Sequence, residues 1–129
     1  MPTPTVVMDT NALMLPVEGG VRVFEELDRL LTAYELVTPR AVVDELEKLA
    51  DGNGEEGVAA SVGLDLATER CRTVDTEASY ADDAVVELAA SGEADLVVTN
   101  DRPLRDRLLE RDVRVIGLRG RDKLAITEP

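Results

Sequence analysis

Histidine is absent from the 129-residue chain, cysteine occurs once, and aromatic residues make up only 2% of it. Without imidazole, Ser-His-Asp and Cys-His nucleophilic catalysis and His-ligated zinc are all excluded. Cys71 alone can close no intramolecular disulfide and build no thiolate zinc cage. Carboxylates are the main catalytic material left. No apolar stretch approaches the roughly 18 residues of a membrane-spanning helix, and Met1 to Pro4 show no charged segment leading into a hydrophobic one. The expectation is a cytoplasmic protein with no membrane partner.

Lysine is also scarce. Lys48 and Lys123 are the only two, set against 27 acids, and the formal net charge is -13. Such a surface repels phosphate, which by itself argues against a nucleic-acid partner. A lysine-poor, acid-rich composition is, however, like the acidic surfaces of halophilic proteins. In concentrated salt the Debye length falls to about 3 Å near 1 M, so the net charge then speaks to solubility rather than to partners.

What the chain does contain is apolar material, 44% of it, and with so few aromatics the core has to come from Val, Leu, Ala and Ile. That composition suits a buried parallel sheet under helices. The length fits one domain over 1–129, with a core from about 5 to 118 and a tail from 119 to 129. Val6 to Met8 read as a buried strand closing in a polar turn at Asp9-Thr10-Asn11. Val21, Phe24, Leu27, Leu30 and Leu31 recur at helical spacing, with Glu25, Glu26, Asp28 and Arg29 outside. Leu36 to Thr38 form a second strand, and Pro39 suits the first turn of a helix carrying Val42, Val43, Leu46 and Leu49. Asp51 to Gly57 read as a mobile loop. A helix over Val58 to Arg70, a strand over Cys71 to Val74, and a helix from about Tyr80 to Ala90 follow. Leu96 to Thr99 are a strand, Asn100-Asp101 opens a helix with Pro103 in its first turn, and Val113, Val115 and Ile116 make the last strand. Strands alternating with helices imply parallel strands joined by right-handed crossovers. The expected fold is therefore a three-layer α/β/α, Rossmann-like domain with a central parallel sheet of about five strands. The tail from Arg119 either wraps the sheet edge or stays loose.

In such sheets ligands bind beyond the C-terminal strand ends, near the place where strand order reverses. Asp9 and Asp101 stand at two such ends, although each alone is more often a turn residue or helix cap than a ligand. Glu45 lies in the second turn of its helix at the border of the buried stripe, where most glutamates are simply solvated. Asp82 and Asp83 open another helix, and Asp82 lies nearer the apolar face. Four acids from four elements converging without a counter-ion would raise one another's pKa values, a conflict that a divalent cation resolves. Magnesium takes carboxylate oxygens and needs neither His nor Cys.

Val7-Met8-Asp9-Thr10-Asn11, Thr38-Pro39 with Val43-Asp44-Glu45-Leu46-Glu47-Lys48-Leu49, Tyr80-Ala81-Asp82-Asp83, and Val98-Thr99-Asn100-Asp101-Arg102 resemble the successive motifs of PIN-domain nucleases. The likeness is greatest to the archaeal and eukaryotic PIN proteins linked to small-subunit ribosomal RNA processing, which share a similar Tyr-Ala-Asp-Asp and a similar Glu-Lys-Leu run. It spans about Val6 to Leu118. The resemblance implies a PIN-like fold and an endoribonuclease using one or two Mg2+ or Mn2+ ions. Its acids would be Asp9, Glu45, Asp82 or Asp83, and Asp101, with Thr10, Asn11 and Thr99 orienting carboxylates or waters. Single-stranded RNA, with precursor ribosomal RNA as one candidate, would be the substrate, and a homodimer is compatible with the family. Arg40, Lys48, Arg102 and Arg105 lie near the expected site and would offset backbone repulsion or form surface ion pairs. A toxin-type ribonuclease of a toxin-antitoxin pair and a non-catalytic RNA- or protein-binding module are the alternatives. A haloacid-dehalogenase phosphatase would need Asp where Asn11 stands. A receiver domain would need a lysine after a late strand, and Lys48 and Lys123 are misplaced for that.

Overall fold

A computed structural model describes residues 3–129. Met1 and Pro2, which open the segment read above as lacking a leader, lie outside the described residues. The elements run β1 (Thr5–Met8), α1 (Thr10–Glu18), α2 (Val23–Leu30), β2 (Glu35–Pro39), α3 (Arg40–Ala50), α4 (Gly54–Arg70), β3 (Arg72–Val74), α5 (Ala81–Ala90), β4 (Leu96–Val98), α6 (Arg102–Leu109), β5 (Arg114–Arg119) and β6 (Lys123–Thr127). One mixed sheet carries them in the order β3-β2-β1-β4-β5-β6. Its first five strands are parallel, and only β6 runs antiparallel, against β5.

The central strands are buried on both faces. Val6, Val7 and Met8 of β1 and Leu96, Val97 and Val98 of β4 are all fully buried. Successive strand side chains point to opposite faces, so unbroken burial requires helices on each side. The apolar runs visible in the sequence are the signature of this arrangement.

Three local expectations need correction. Asp9-Thr10-Asn11 is not a turn: β1 passes directly into α1, with the Asp9 carboxylate accepting from the Ala12 amide at 2.7 Å as the helix cap. Ala12, Leu13, Met14 and Leu15 are buried in succession, so this helix shows no amphipathic stripe. The Asp51–Gly57 loop is shorter than expected, because α4 begins at Gly54 with Glu55 and Glu56 in its first turn, where the helix dipole favours acids. Helices α1 and α4 pack closely at Gly63, where a Cβ would stand 2.9 Å from the Leu13 carbonyl oxygen.

The third correction concerns the strand count, six in place of about five, since the C-terminal tail takes the edge-wrapping course of the two left open. The tail forms β6, a sixth strand paired with β5 from Val115–Thr127 through Arg119–Lys123. Helix α2 holds it in place. Glu26, expected outside, is buried and accepts from the Leu124 amide at 2.9 Å and from Arg29 Nη2 at 2.8 Å, while Arg29 Nη2 donates to the Leu124 carbonyl at 2.7 Å. These bonds hold the Glu26 carboxyl down at about pKa 2, the Arg29 contact being the larger cause.

Candidate active site

The sheet changes direction of winding at its centre. From β1 the chain crosses to β2 on one side and returns to β4 on the other, so the C-terminal ends of β1 and β4 flank the switch point. Asp9 follows β1 by one residue, and Asp101 caps α6 three residues beyond β4. A cleft of about 540 Å³ opens there, lined by Asp9, Glu45, Asp82, Asp83 and Asp101 among others. All five acids singled out in the sequence therefore meet in one cavity.

Asp9 forms its floor. Only 3% exposed, it is held from two sides, by the Ala12 amide and by the Thr99 hydroxyl, which donates to its other oxygen. Burial pushes its carboxyl up to about pKa 7, against the lowering effect of those two hydrogen bonds, and Asp82 and Asp101 add repulsion in the same direction. The Thr99 oxygen also accepts from the Asp101 amide at 3.0 Å, so one hydroxyl ties the two strand-end acids together. Asp101 accepts from the Leu104 amide through Oδ1 at 2.8 Å. Across the switch point, Asn11 Oδ1 accepts from the Asn100 amide at 3.1 Å and braces the same segment.

Glu45 and Asp82 reach in from α3 and α5 with more solvent around them. The Asp82 carboxyl is raised by burial first, then by Asp101 and Glu45. Asp83 lines the cleft as well, but Arg107 Nη2 contacts its Oδ1 at 3.0 Å. The cation leaves Asp82 as the carboxylate of the pair whose charge is met chiefly by other negative groups.

The donor set fits a hard divalent cation. Its atoms are carboxylate oxygens in mutual repulsion, and the buried Thr10 hydroxyl, which lines the cleft beside Asp9, has no hydrogen-bond partner among the described residues. A buried polar group of that kind costs about 1–3 kcal/mol unless a water or ion satisfies it. Among the described residues no three acidic, Cys or His side chains close on a single point tightly enough to cage an ion unaided. Magnesium tolerates this, since it keeps several waters and relies on one or two carboxylates together with substrate phosphate.

Other wall residues were not anticipated. Glu18 and Glu56 come from the helices α1 and α4, whose starts were read as turn and loop, and Arg107 is placed by tertiary packing alone. Tyr80, read only as part of a motif, stands at the cleft wall 78% exposed. Of the four basic candidates, Arg40 is tied to Asp75 at 2.8 Å and does not line the cleft. Lys48 lines an adjoining groove with Glu45 and Tyr80, and Arg102 and Arg105 face a separate cavity behind the Thr99–Asp101 segment.

Comparison with known proteins agrees with this geometry. Residues 6–121 match the family model described as a PIN like domain. Ribonuclease VapC4 of Methanocaldococcus jannaschii is 32% identical over 118 residues, covering 88% of this chain and 89% of that protein. Among solved structures, one titled as the PIN domain endonuclease Utp24 superposes with a TM-score of 0.78 at 25% identity, covering 97% of this chain and 92% of that one. A domain of a functionally unknown protein from Methanocaldococcus jannaschii shares the fold, with a TM-score of 0.68 at 18% identity over 94% of this chain and 95% of that chain.

Proposed function

The chain belongs to the PIN-like domain family, and from that premise we propose that it is a metal-dependent endoribonuclease whose working carboxylates are Asp9, Glu45, Asp82 and Asp101. The observation that carries the reading is the convergence of these acids, from four separate elements, on one cleft at the switch point of the sheet, where burial and mutual repulsion raise Asp9 and Asp82. The names of the relatives, a ribonuclease and a PIN domain endonuclease, support the same class of reaction.

Asp9, Asp82 and Asp101 would hold Mg2+ or Mn2+, with Glu45 reaching toward a second ion or the attacking water. When bound there, such an ion would supply a water of lowered pKa and neutralise charge developing on the phosphoryl oxygens. The chain's own residues set the geometry. Thr99 and the Ala12 amide fix the Asp9 oxygens, the Leu104 amide fixes Asp101, and the Thr10 hydroxyl is free to orient a water. Arg107 neutralises Asp83, which favours Asp82 as the third ligand. In-line attack on the scissile phosphate leaves 5′-phosphate and 3′-hydroxyl ends. Tyr80 offers an exposed ring to a base of single-stranded RNA beside the cleft.

Precursor ribosomal RNA is the substrate favoured by the sequence motifs around Tyr80-Ala81-Asp82-Asp83 and Glu47-Lys48-Leu49. The test is incubation of the purified protein with labelled precursor ribosomal RNA and transfer RNA in Mn2+ or Mg2+, beside Asp9→Asn. Cuts at defined sites in the precursor, lost in the variant and in EDTA, are expected. Cutting confined to transfer RNA would assign a toxin-type role, and cleavage unaffected by either Asp9→Asn or EDTA would overturn the metal mechanism.

A further inference from the structure

The net charge of -13 leaves unexplained how an RNA strand approaches this protein at all. Much of the positive charge is already spent on neighbours. Arg22, Arg29, Arg40, Arg72 and Arg107 each contact a carboxylate at 3.3 Å or less. Arg102 and Arg119 are exposed and, among the described residues, make no ion pair. Both line a second cavity of about 480 Å³, together with Arg105. Among the described residues the buried Arg105 Nε has no hydrogen-bond partner, its nearest carboxylate oxygen being Asp106 Oδ1 at 3.7 Å. That distance is too long for a hydrogen bond.

The floor of this cavity differs from its rim. Gly117 and Ala125, paired across β5 and β6 on the same sheet face as Arg119, give it a flat base of small residues, and Gly117 brings the strand against the acid-bearing segment. A Cβ at Gly117 would stand 3.0 Å from the Thr99 carbonyl oxygen. Thr99 and Asn100 line this cavity and Asp101 lines the acidic cleft, so the two are separated by one turn of backbone. Consecutive Cα atoms lie about 3.8 Å apart, which puts the cavities within reach of neighbouring nucleotides of one strand.

We propose that the cavity between α6 and the β5–β6 hairpin is a nucleotide subsite that holds single-stranded RNA next to the scissile phosphate. Arg102, Arg105 and Arg119 take backbone phosphate, and the flat surface at Gly117 and Ala125 supports a base. The subsite rests on the ribonuclease reading for its substrate, but its residues are distinct from the acids that would cut. It also gives β6 a role, because the hairpin that this strand completes provides Arg119, Gly117 and Ala125.

Binding of a fluorescent single-stranded RNA, followed by anisotropy in EDTA across a salt series, tests this without catalysis. The double variant Arg102→Gln, Arg119→Gln alters two exposed side chains, so folding is preserved. It is expected to weaken binding by about tenfold at low salt and to flatten the slope of log affinity against log salt by about 1.4, at roughly 0.7 per lost contact on a single strand. The pair Arg111→Gln, Arg114→Gln removes the same net charge at the far end of α6 and the start of β5, and should leave both values unchanged. Arg105→Lys, which keeps the charge, should retain more affinity than Arg105→Gln.

Equal losses from the two double variants would mean a general charge effect and overturn the subsite. So would a change in sedimentation with RNA affinity untouched, which would assign the cavity to a protein contact. Wild-type protein that binds RNA through these arginines yet cuts nothing in Mn2+ would remove the ribonuclease reading and leave the subsite standing. Protein that cuts RNA with no arginine dependence would do the reverse, and failure both to bind RNA in EDTA and to cut it in Mn2+ would remove both.

Discussion

Replacing Asp9 by Asn should make the metal-free protein more stable, and the gain should grow with pH. The folded Asp9 carboxyl titrates at about 7 instead of 3.8, because it is buried and faces Asp82 and Asp101. Between those two values the fold retains a proton that the unfolded chain has released, so wild-type stability falls as pH rises and levels off above about 7. About three pH units at 1.36 kcal/mol each give about 4 kcal/mol of destabilisation at pH 8. Asparagine carries no charge and avoids it. It keeps an acceptor for the Ala12 amide but cannot accept from the Thr99 hydroxyl in the same way, a loss of about 1 kcal/mol. The net gain at pH 8 is about 3 kcal/mol, a rise in Tm of about 10 °C for a chain of this size. At pH 4 it should vanish, because Asp9 is then protonated in the fold and close to its titration midpoint in the unfolded chain, so that the charge costs less than about 1 kcal/mol and no longer exceeds the loss of the Thr99 contact. Thermal melts of both proteins in EDTA from pH 4 to pH 8 measure this directly. Saturating Mg2+ or Mn2+ should then raise the wild type, by about 2.7 kcal/mol at a hundred times Kd, and leave the variant nearly unmoved. A gap that stays constant across the pH range would refute the assignment of Asp9 as a buried, strained carboxylate.

Other substitutions probe separate parts of the molecule. Glu26→Gln should lower stability at pH 7 and speed amide exchange at Leu124; since the Glu26 carboxyl is held at about 2 against an ordinary 4.5, its contribution is present above about 4.5 and is lost as pH falls toward 2, where variant and wild type should melt alike. Thr99→Val removes the hydroxyl joining Asp9 to the Asp101 amide, and should cost about 1–3 kcal/mol by urea titration and shift the acid limb of the cleavage pH profile upward, because that hydrogen bond lowers the Asp9 pKa. Tyr80→Ala should leave the melting temperature unchanged, the ring being 78% exposed, while raising KM for single-stranded RNA by the equivalent of about 1–3 kcal/mol. Tyr80→Phe should restore it, and a drop in kcat alone would contradict the stacking role.

The parallel strands were legible because a strand covered on both faces leaves an unbroken apolar run, as Val6 to Met8 and Leu96 to Val98 do. The acids at their ends were legible for the same reason, since the runs locate the strand ends and the sheet topology brings Asp9 and Asp101 together. Helix α1 was not, because its buried residues follow one another without period and Pro16 lies within it. For strand β6 the sequence leaves open whether it wraps the edge or stays loose, because the short apolar run Leu124 to Ile126 is only partly buried at the sheet edge and its anchor is a carboxylate 98 residues away in sequence. Glu26 was misplaced as a consequence: nothing local distinguishes it from Glu25, and only the returning tail buries it. Arg107 lies in the same category, since its partner Asp83 sits on another helix. Tyr80 did leave a signal, being one of only three aromatic residues in the chain and set directly before an acidic pair.

Anomalous diffraction from crystals grown with Mn2+ tests the central claim most directly. The expected result is a peak about 2.2 Å from a carboxylate oxygen of Asp9, with Asp101 or Asp82 also in its coordination shell and waters completing it. The peak should vanish in Asp9→Asn crystals. Saturating Mn2+ that leaves this cleft without density, or that binds only at scattered surface acids, would contradict it.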